Sequence, residues 1–284
     1  MTDKPRPSKA ATRRRCNSLD GKRWIQNSIS VWGDLRKAPD ELRLRHPAMF
    51  PTALAARLIE SYLPAGSHVV LDPFAGTGST LVAALRAGKQ AVGLELSAAF
   101  IAAARTRLGH RTLFDGDAAG DPGAAAAPSP VLHQASAADL LQYLPADSVE
   151  LCVTSPPYWN ILNQRRTADS KAVRNYGNLQ HDLGTIADYG EFLSALTRIF
   201  ADVLKVLKPG AHCCVVVMDL RKKNRFYPFH SDLAGRLQEI GYLFDDLIVW
   251  NRQADYNNLR PLGFPAVFRV NKVHEFILLM QKRQ

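Results

Sequence analysis

The chain has 284 residues, of which 46% are hydrophobic, and this is enough to form one large hydrophobic core. The formal net charge of +10 favours a polyanionic partner, while no stretch approaches the roughly 20 apolar residues of a membrane span and no signal peptide begins the chain. The four cysteines form no CxxC and have no His at zinc spacing, so we expect no metal site and a reducing, cytoplasmic location.

The first part of the chain is basic. Its first 45 residues hold 12 Lys and Arg against 5 Asp and Glu. Residues 1–18 are typical of a flexible, solvated tail, although an arm that follows a nucleic-acid backbone is an alternative. We expect one folded domain over residues 19–284. Within it, the apolar residues of 51–63 recur at helical spacing, which predicts an amphipathic helix behind Pro51.

A glycine-rich turn joins the apolar run at residues 68–71 to a helical pattern that begins at residue 81. The turn reads Asp72-Pro73-Phe74-Ala75-Gly76-Thr77-Gly78-Ser79. Glycines let a backbone approach a ligand closely, and the start of a helix offers unpaired N–H groups. The turn lacks the Gly-Lys-Ser/Thr of a P-loop and the third glycine of the dinucleotide pattern, so phosphate-binding machinery is not indicated.

An acidic residue, Glu95, closes the next apolar run at residues 91–95. A carboxylate at the end of the second strand of an α/β unit can accept hydrogen bonds from a ribose. The first half of the chain therefore predicts a nucleoside-binding α/β unit. After it we expect a helix from the capping residue Ser97 to about residue 108, an exposed loop over 115–130, and a weak strand at 131–134.

A second motif follows the apolar run at residues 149–153 and reads Thr154-Ser155-Pro156-Pro157-Tyr158-Trp159-Asn160. Two consecutive prolines must end the strand, and they form a stiff loop at its carboxyl end, where open α/β sheets bind ligands. The loop combines oxygen acceptors with two aromatic rings. This combination suits a flat ring with an exocyclic amine, because oxygens accept from the amine while an aromatic ring stacks.

The rest of the chain alternates strands and helices, with helices expected at 186–207 and 231–240 and strands at 211–219, 245–250 and 275–280. This alternation predicts an α/β sheet that is mostly parallel. Three polar segments interrupt it, at residues 161–185, 221–230 and 251–272. Their side chains can reach phosphates and base edges, although mobile surface loops and a solvated turn are alternatives.

The two motifs together resemble those of the amino-methylating DNA methyltransferases, which transfer a methyl group from S-adenosylmethionine to cytosine N4 or adenine N6. The resemblance covers roughly residues 20–284. It implies the class I methyltransferase (Rossmann-like) fold, a mostly parallel sheet with an antiparallel edge pair and helices on both faces. It also implies a set of cofactor-binding residues, namely His46, Pro47, Phe50, Pro51, Asp72, Pro73, Phe74, Gly76, Thr77, Gly78, Ser79 and Glu95.

Two further assignments depend on this resemblance. The family usually carries an Asp after the third strand that contacts the adenine amino group, and this chain has Ser136 there, with Asp139 as a substitute. Ser at position 155 is typical of the N4-cytosine enzymes of the family. We therefore predict a site-specific cytosine-N4 DNA methyltransferase that acts on a flipped base by direct in-line attack, without a metal.

The expected catalytic residues are Ser155, Pro156, Pro157 and Tyr158, and the expected DNA contacts are Trp159, Asn160, Arg165, Arg166, Arg221 and Lys222. Double-stranded DNA is the expected partner, and a cognate restriction endonuclease acting separately is left open. The alternatives are an adenine-N6 DNA methyltransferase, a methyltransferase of RNA or protein amines, and a DNA-binding protein without activity.

Overall fold

The computed structural model describes residues 16–44, 49–114, 129–160, 182–256, 259 and 261–284. Its helices in chain order are α1 (Gly21–Asn27), α2 (Pro39–Arg43), α3 (Thr52–Tyr62), α4 (Ser79–Arg86), α5 (Ala98–Phe114), α6 (Tyr189–Val206) and α7 (Phe229–Glu239). Its strands are β1 (Val31–Trp32), β2 (Val69–Asp72), β3 (Gln90–Glu95), β4 (Val131–Gln134), β5 (Val149–Thr154), β6 (Leu207–Val217), β7 (Leu220–Lys222), β8 (Arg225–Tyr227), β9 (Tyr242–Asn251) and β10 (His274–Lys282).

Eight of these strands form one sheet in the order β1-β9-β10-β6-β5-β2-β3-β4. Neighbouring strands run parallel except around β10, which pairs antiparallel with both β6 and β9. The mostly parallel α/β sheet is therefore confirmed. The predicted antiparallel pair is β9 and β10, which lies beside the two-residue edge strand β1, and β10 also pairs antiparallel with β6.

Helices cover both faces of the sheet, as the alternation of buried side chains along β6 shows. Cys213 and Val215 face the core cluster that contains the apolar residues of α6 and α7. Cys214 and Val216 face the cluster that contains those of α3 and α4. Successive side chains of a strand point to opposite faces, so an uninterrupted apolar run is what a strand with two covered faces requires. None of the described helices is long and apolar enough to cross a membrane.

Helix α5 and strand β6 extend furthest beyond their predicted bounds, and one segment forms strands that were not predicted. Helix α5 continues to Phe114, beyond the expected end near residue 108. Strand β6 begins at Leu207 rather than 211, because Leu207 pairs with Val149 of β5 and a register shift accommodates the following residues. The basic segment after β6 forms a two-stranded hairpin, β7 and β8, whose turn places Lys223 at a φ of 54°.

Candidate functional site

The glycine-rich turn lies between β2 and α4 and runs close to the end of β3. Gly76 and Gly78 have φ values of 52° and 81°, in the left-handed region that favours glycine. A Cβ atom added to Gly78 would lie 3.2 Å from Cβ of Ala104 on α5. The Gly76 N–H donates to Oε2 of Glu95 at 2.8 Å. The turn therefore presents bare backbone beside a carboxylate, as the sequence predicted.

Glu95 is held by two backbone groups. Besides the bond from Gly76, its Oε1 accepts from the N–H of Ser97 at 2.7 Å. Burial raises the pKa of this carboxyl, although the two backbone donors oppose the shift. Each oxygen of an ionised carboxylate can accept more than one hydrogen bond. The carboxylate is thus fixed in place and keeps acceptor capacity for the hydroxyl groups of a ribose.

Asp72 connects the glycine-rich turn to the strand that precedes the proline loop. It is 1% exposed, and its Oδ1 accepts from Oγ1 of Thr154 at 2.6 Å and from the N–H of Phe74 at 3.1 Å. Burial raises the pKa of Asp72 to about 6. A second bond of the same kind runs from Oγ1 of Thr80 to the carbonyl oxygen of Val153, at 3.1 Å. The two sequence motifs therefore lie side by side.

A buried ion pair between Arg107 and Glu41 contacts the glycine-rich turn. No local sequence pattern predicted it. Arg107 of α5 donates to the carbonyl oxygen of Thr77 at 2.7 Å. Its other terminal nitrogen donates to Oε1 of Glu41 and to Oγ1 of Thr52, each at 2.9 Å. Glu41 is 2% exposed and also accepts from Oγ1 of Thr52. Helices α2, α3 and α5 are thereby joined to the turn.

The residues just before α3 also reach the turn. Oγ of Ser79 donates to the carbonyl oxygen of Phe50 at 2.9 Å. Oγ1 of Thr77 donates to the sulfur of Met49 at 2.8 Å. Pro51 is the N-cap of α3. The structure therefore brings the predicted residues Phe50, Thr77 and Ser79 together, while His46 and Pro47 lie outside the described residues.

The proline loop follows β5, and its polar side chains form a chain of contacts. Oγ of Ser155 lies 3.1 Å from the hydroxyl oxygen of Tyr158. The Tyr158 hydroxyl donates to Oε2 of Glu275 at 2.8 Å. Arg252 donates to the other oxygen of Glu275. Glu275 and Arg252 were not among the predicted site residues, although a glutamate at the start of an apolar strand was a usable signal.

Trp159 does not lie where a base could stack on it, because the residue is only 4% exposed. Its indole N–H donates to the carbonyl oxygen of Ile186 at 2.9 Å, and its ring packs edge-on against Tyr189 and Tyr227. Lys222 covers the ring, with its amine 3.9 Å from the ring centroid. In this structure Trp159 makes packing contacts, and its predicted contact with DNA stays a prediction.

The remaining predicted residues are dispersed. The amine of Lys222 donates to Oδ1 of Asn160 at 3.1 Å, so these two residues fasten the β7–β8 hairpin to the proline loop. Arg221 is exposed on the same hairpin. Asp139 lies in a 3₁₀ helix, Ala137–Gln142, where it accepts from the side chain of Gln142. Arg165 and Arg166 lie outside the described residues.

Known proteins resemble this chain in sequence and in fold. The Type II methyltransferase M.XycI of Xanthomonas campestris pv. cyanopsidis is 36% identical over 182 residues, which cover 54% of each chain. The Type II methyltransferase M.ScaI of Streptomyces caespitosus is 39% identical over 101 residues, or 33% of this chain and 31% of that protein. The chain thus spans about half or less of the length of these relatives.

Among solved structures, TrmN from Thermus thermophilus matches this chain with a TM-score of 0.50 and 15% sequence identity. The match covers 84% of this chain and 51% of the TrmN chain. That likeness concerns the fold. A family model described as DNA methylase, N6_N4_Mtase, matches residues 3–106 and 149–284, which include the glycine-rich turn and the proline loop. The chain therefore belongs to the N6_N4_Mtase family of DNA methylases.

Proposed function

We propose that the protein transfers a methyl group from S-adenosylmethionine to the exocyclic N4 amine of cytosine in duplex DNA. The observation that carries this proposal is the bond between Asp72 and Thr154, which sets the glycine-rich turn beside the loop of Ser155. A methyl donor on the turn and an amine at Ser155 would then be neighbours. Family membership and the Type II methyltransferase relatives support a DNA substrate.

The residues of the turn fit this cofactor. The bare backbone at Gly76 and Gly78 leaves room for a ligand to approach, and a side chain at Gly78 would crowd Ala104. The carboxylate of Glu95 suits the ribose hydroxyls. When bound, S-adenosylmethionine supplies a methyl group on a positively charged sulfur, so a neutral sulfide leaves and no metal is required.

The proline loop performs the positioning in this proposal. The target base is flipped out of the duplex, and the ring of Tyr158 stacks on it. Oγ of Ser155 and the carbonyl oxygen of Pro156 accept hydrogen bonds from the exocyclic amine. These bonds localise the nitrogen lone pair, which otherwise delocalises into the ring, and direct it at the methyl carbon. The new N–C bond forms as the C–S bond breaks, and the nitrogen then loses one proton to water.

Substituting the two motifs separately tests this division of roles. Tyr158→Ala is expected to retain the affinity for S-adenosylmethionine within about twofold and to lose methyl transfer by 100-fold or more, because stacking and positioning act on the base. Asp72→Ala is expected to weaken cofactor binding first. Calorimetry of cofactor binding and single-turnover transfer to DNA separate the two effects. Equal loss of binding and transfer in both variants would contradict the assignment.

The substrate class is tested with labelled S-adenosylmethionine and a panel of mixed-sequence duplex DNA, single-stranded DNA and RNA. Label in duplex DNA at a limited set of sites is the expected result. Ser155→Ala is the matched control, because it removes one acceptor and leaves the rest of the loop intact. Preferential labelling of RNA, or of the protein itself, would contradict duplex DNA as the substrate and indicate another class of amine.

A further inference from the structure

The hydroxyl of Tyr158 lies between two oxygen atoms whose roles differ. On one side it contacts Oε2 of Glu275 at 2.8 Å, and on the other it contacts Oγ of Ser155 at 3.1 Å. Glu275 is 4% exposed and is the second residue of β10. Strand β10 runs antiparallel to β6, and β5 runs parallel to β6. The first residues of β10 therefore lie at the end of the sheet where β5 has its carboxyl end.

The carboxylate of Glu275 sets the direction of the hydrogen bonds that run from it through Tyr158 to Ser155. An ionised carboxylate can only accept, so the Tyr158 hydroxyl must donate to it. Its single proton is then committed, and the phenol oxygen can only accept from Ser155. Ser155 in turn donates its own proton to the oxygen of Tyr158, so the lone pairs of the Ser155 oxygen are free to accept. Burial and the charge of Glu275 raise the pKa of Tyr158 well above its ordinary value, so the phenol stays protonated.

Arg252 is the ion-pair partner of this buried carboxylate. It donates to Oε1 of Glu275 and also pairs with Asp255 at 3.3 Å. Its guanidinium lies over the ring of Trp250, 4.8 Å from the centroid, and is 5.7 Å from that of Tyr256. A carboxylate is buried at a large cost unless it is paired and hydrogen-bonded, and Arg252 together with the Tyr158 hydroxyl meets this condition.

We propose that Glu275, held by Arg252, is a positioning residue that acts through Tyr158 to make Ser155 a hydrogen-bond acceptor for the exocyclic amine. This inference rests on the proposed function, and it adds two residues outside the proline loop to the reaction. Successive hydrogen bonds in one chain polarise each other, so the carboxylate charge also strengthens Ser155 as an acceptor. Arg252 is the second residue of the segment 251–272 that we expect to contact DNA, which connects this series of hydrogen bonds to the substrate side of the site.

Glu275→Gln tests the direction of the chain with almost no change in volume. The amide can turn its NH2 toward the phenol oxygen, and Tyr158 would then donate to Ser155, which loses its acceptor polarity. We expect kcat to fall by roughly 10- to 100-fold, while KM for the cofactor and cofactor affinity change by less than about twofold. Glu239→Gln, at an exposed glutamate of α7 in an ion pair with Arg236, is the matched control and should retain full kcat.

A double-mutant cycle with Tyr158→Phe separates positioning from a purely structural latch. The phenylalanine keeps the ring for stacking and leaves the Glu275–Arg252 pair intact, but it breaks the chain. Adding Glu275→Gln to Tyr158→Phe should then lower kcat by less than about threefold, because residues that act as a unit are not additive. The proposal is overturned if the kcat losses of the two single variants multiply in the double variant. It is also overturned if each variant that loses kcat loses thermal stability in proportion.

The outcomes also distinguish this inference from the proposed function. If the wild-type protein methylates a different base or RNA, the proposed substrate is wrong. The double-mutant cycle of Glu275→Gln and Tyr158→Phe is then measured with the substrate that the protein does methylate. If Glu275→Gln fails to fold, Tyr158→Phe alone carries the test, and full kcat in that variant overturns the proposal. If the folded wild type transfers no methyl group to any substrate of the panel, both are overturned together.

Discussion

Asp72 shows how a single residue links stability to pH. Its carboxyl is fully buried, and burial raises its pKa from 3.8 to about 6. Folding therefore favours the neutral form, so the contribution of Asp72 to stability is fully present below pH 3.8 and is lost as the pH rises through 6. A shift of this size corresponds to about 3 kcal/mol. The buried aspartate is therefore a stability cost at neutral pH.

Asp72→Asn should remove this pH dependence. The amide oxygen can keep both hydrogen bonds that Oδ1 accepts, from Thr154 and Phe74. Relative to the wild type, the free energy of unfolding of the variant should therefore rise by up to about 3 kcal/mol between pH 4 and pH 7. Urea unfolding of the cofactor-free protein at pH 4, 5, 6 and 7 measures this difference. A constant difference across that range would show that Asp72 is not the titrating group.

The site residues also show what a sequence can and cannot reveal at this scale. Asp72, Gly76 and Gly78 were predictable, because a strand, a turn and a helix start are encoded within about ten consecutive residues. Glu275 contacts Tyr158, which is 117 positions away in the chain, and Arg107 contacts Thr77, which is 30 positions away. Their contacts depend on strand order and helix packing. A local pattern marks Glu275 as a glutamate at the start of an apolar strand, but it does not reveal the partner of either residue.

At the scale of elements, the start of α4 depends on the conformation of its N-cap. Gly78 has a φ of 81° and packs against α5, where an added Cβ would be 3.2 Å from Ala104. Gly88, just after α4, has a φ of 65° but no atom within 4 Å of its added Cβ. These two glycines therefore separate backbone strain from crowding.

Gly78→Ala should be more harmful than Gly88→Ala. Both substitutions place a side chain in the left-handed region, which costs roughly 1–2 kcal/mol. Only Gly78→Ala also pushes α5 away from the turn, so it should lower the urea midpoint further and weaken cofactor binding by at least tenfold. Urea unfolding and calorimetry provide the two measurements. Equal cofactor affinity in both variants would argue against a ligand role for the turn.

Most elements were predictable because hydrophobic periodicity follows from burial on one or both faces. The exceptions arise from pairing. Strand β6 extends back to Leu207 because β5 provides a partner at Val149. The position of β10 between β6 and β9, antiparallel to both, is a property of the whole sheet. Periodicity alone does not carry strand order.

For the molecule as a whole, the net charge of +10 matters more for binding than for folding. Part of this charge lies on the β7–β8 hairpin, where Arg221, Lys223 and Arg225 are exposed. The hairpin is fastened to the proline loop by Lys222 and Asn160. Its exposed cations are therefore held near the proline loop, where the proposed function would place DNA phosphates.

Arg221→Gln should weaken DNA binding in a salt-dependent way. Each phosphate contact that is lost reduces the slope of log K against log salt by about one. We expect this reduction, with little change in cofactor affinity. Fluorescence anisotropy at 50 to 200 mM salt measures it. Arg236→Gln, on the exposed face of α7, is the matched control, and an identical change in both variants would show that the hairpin has no specific role.

The most direct test of the account is to identify the methylated base. The protein is incubated with labelled S-adenosylmethionine and mixed-sequence duplex DNA. The DNA is then digested, and the nucleosides are identified by mass spectrometry. We expect N4-methylcytosine, which Ser155→Ala should reduce and Glu239→Gln should not. N6-methyladenine would preserve the fold, the cofactor and the positioning chemistry but contradict the assignment of cytosine. Absence of any methylated nucleoside, with cofactor binding intact, would contradict DNA as the substrate.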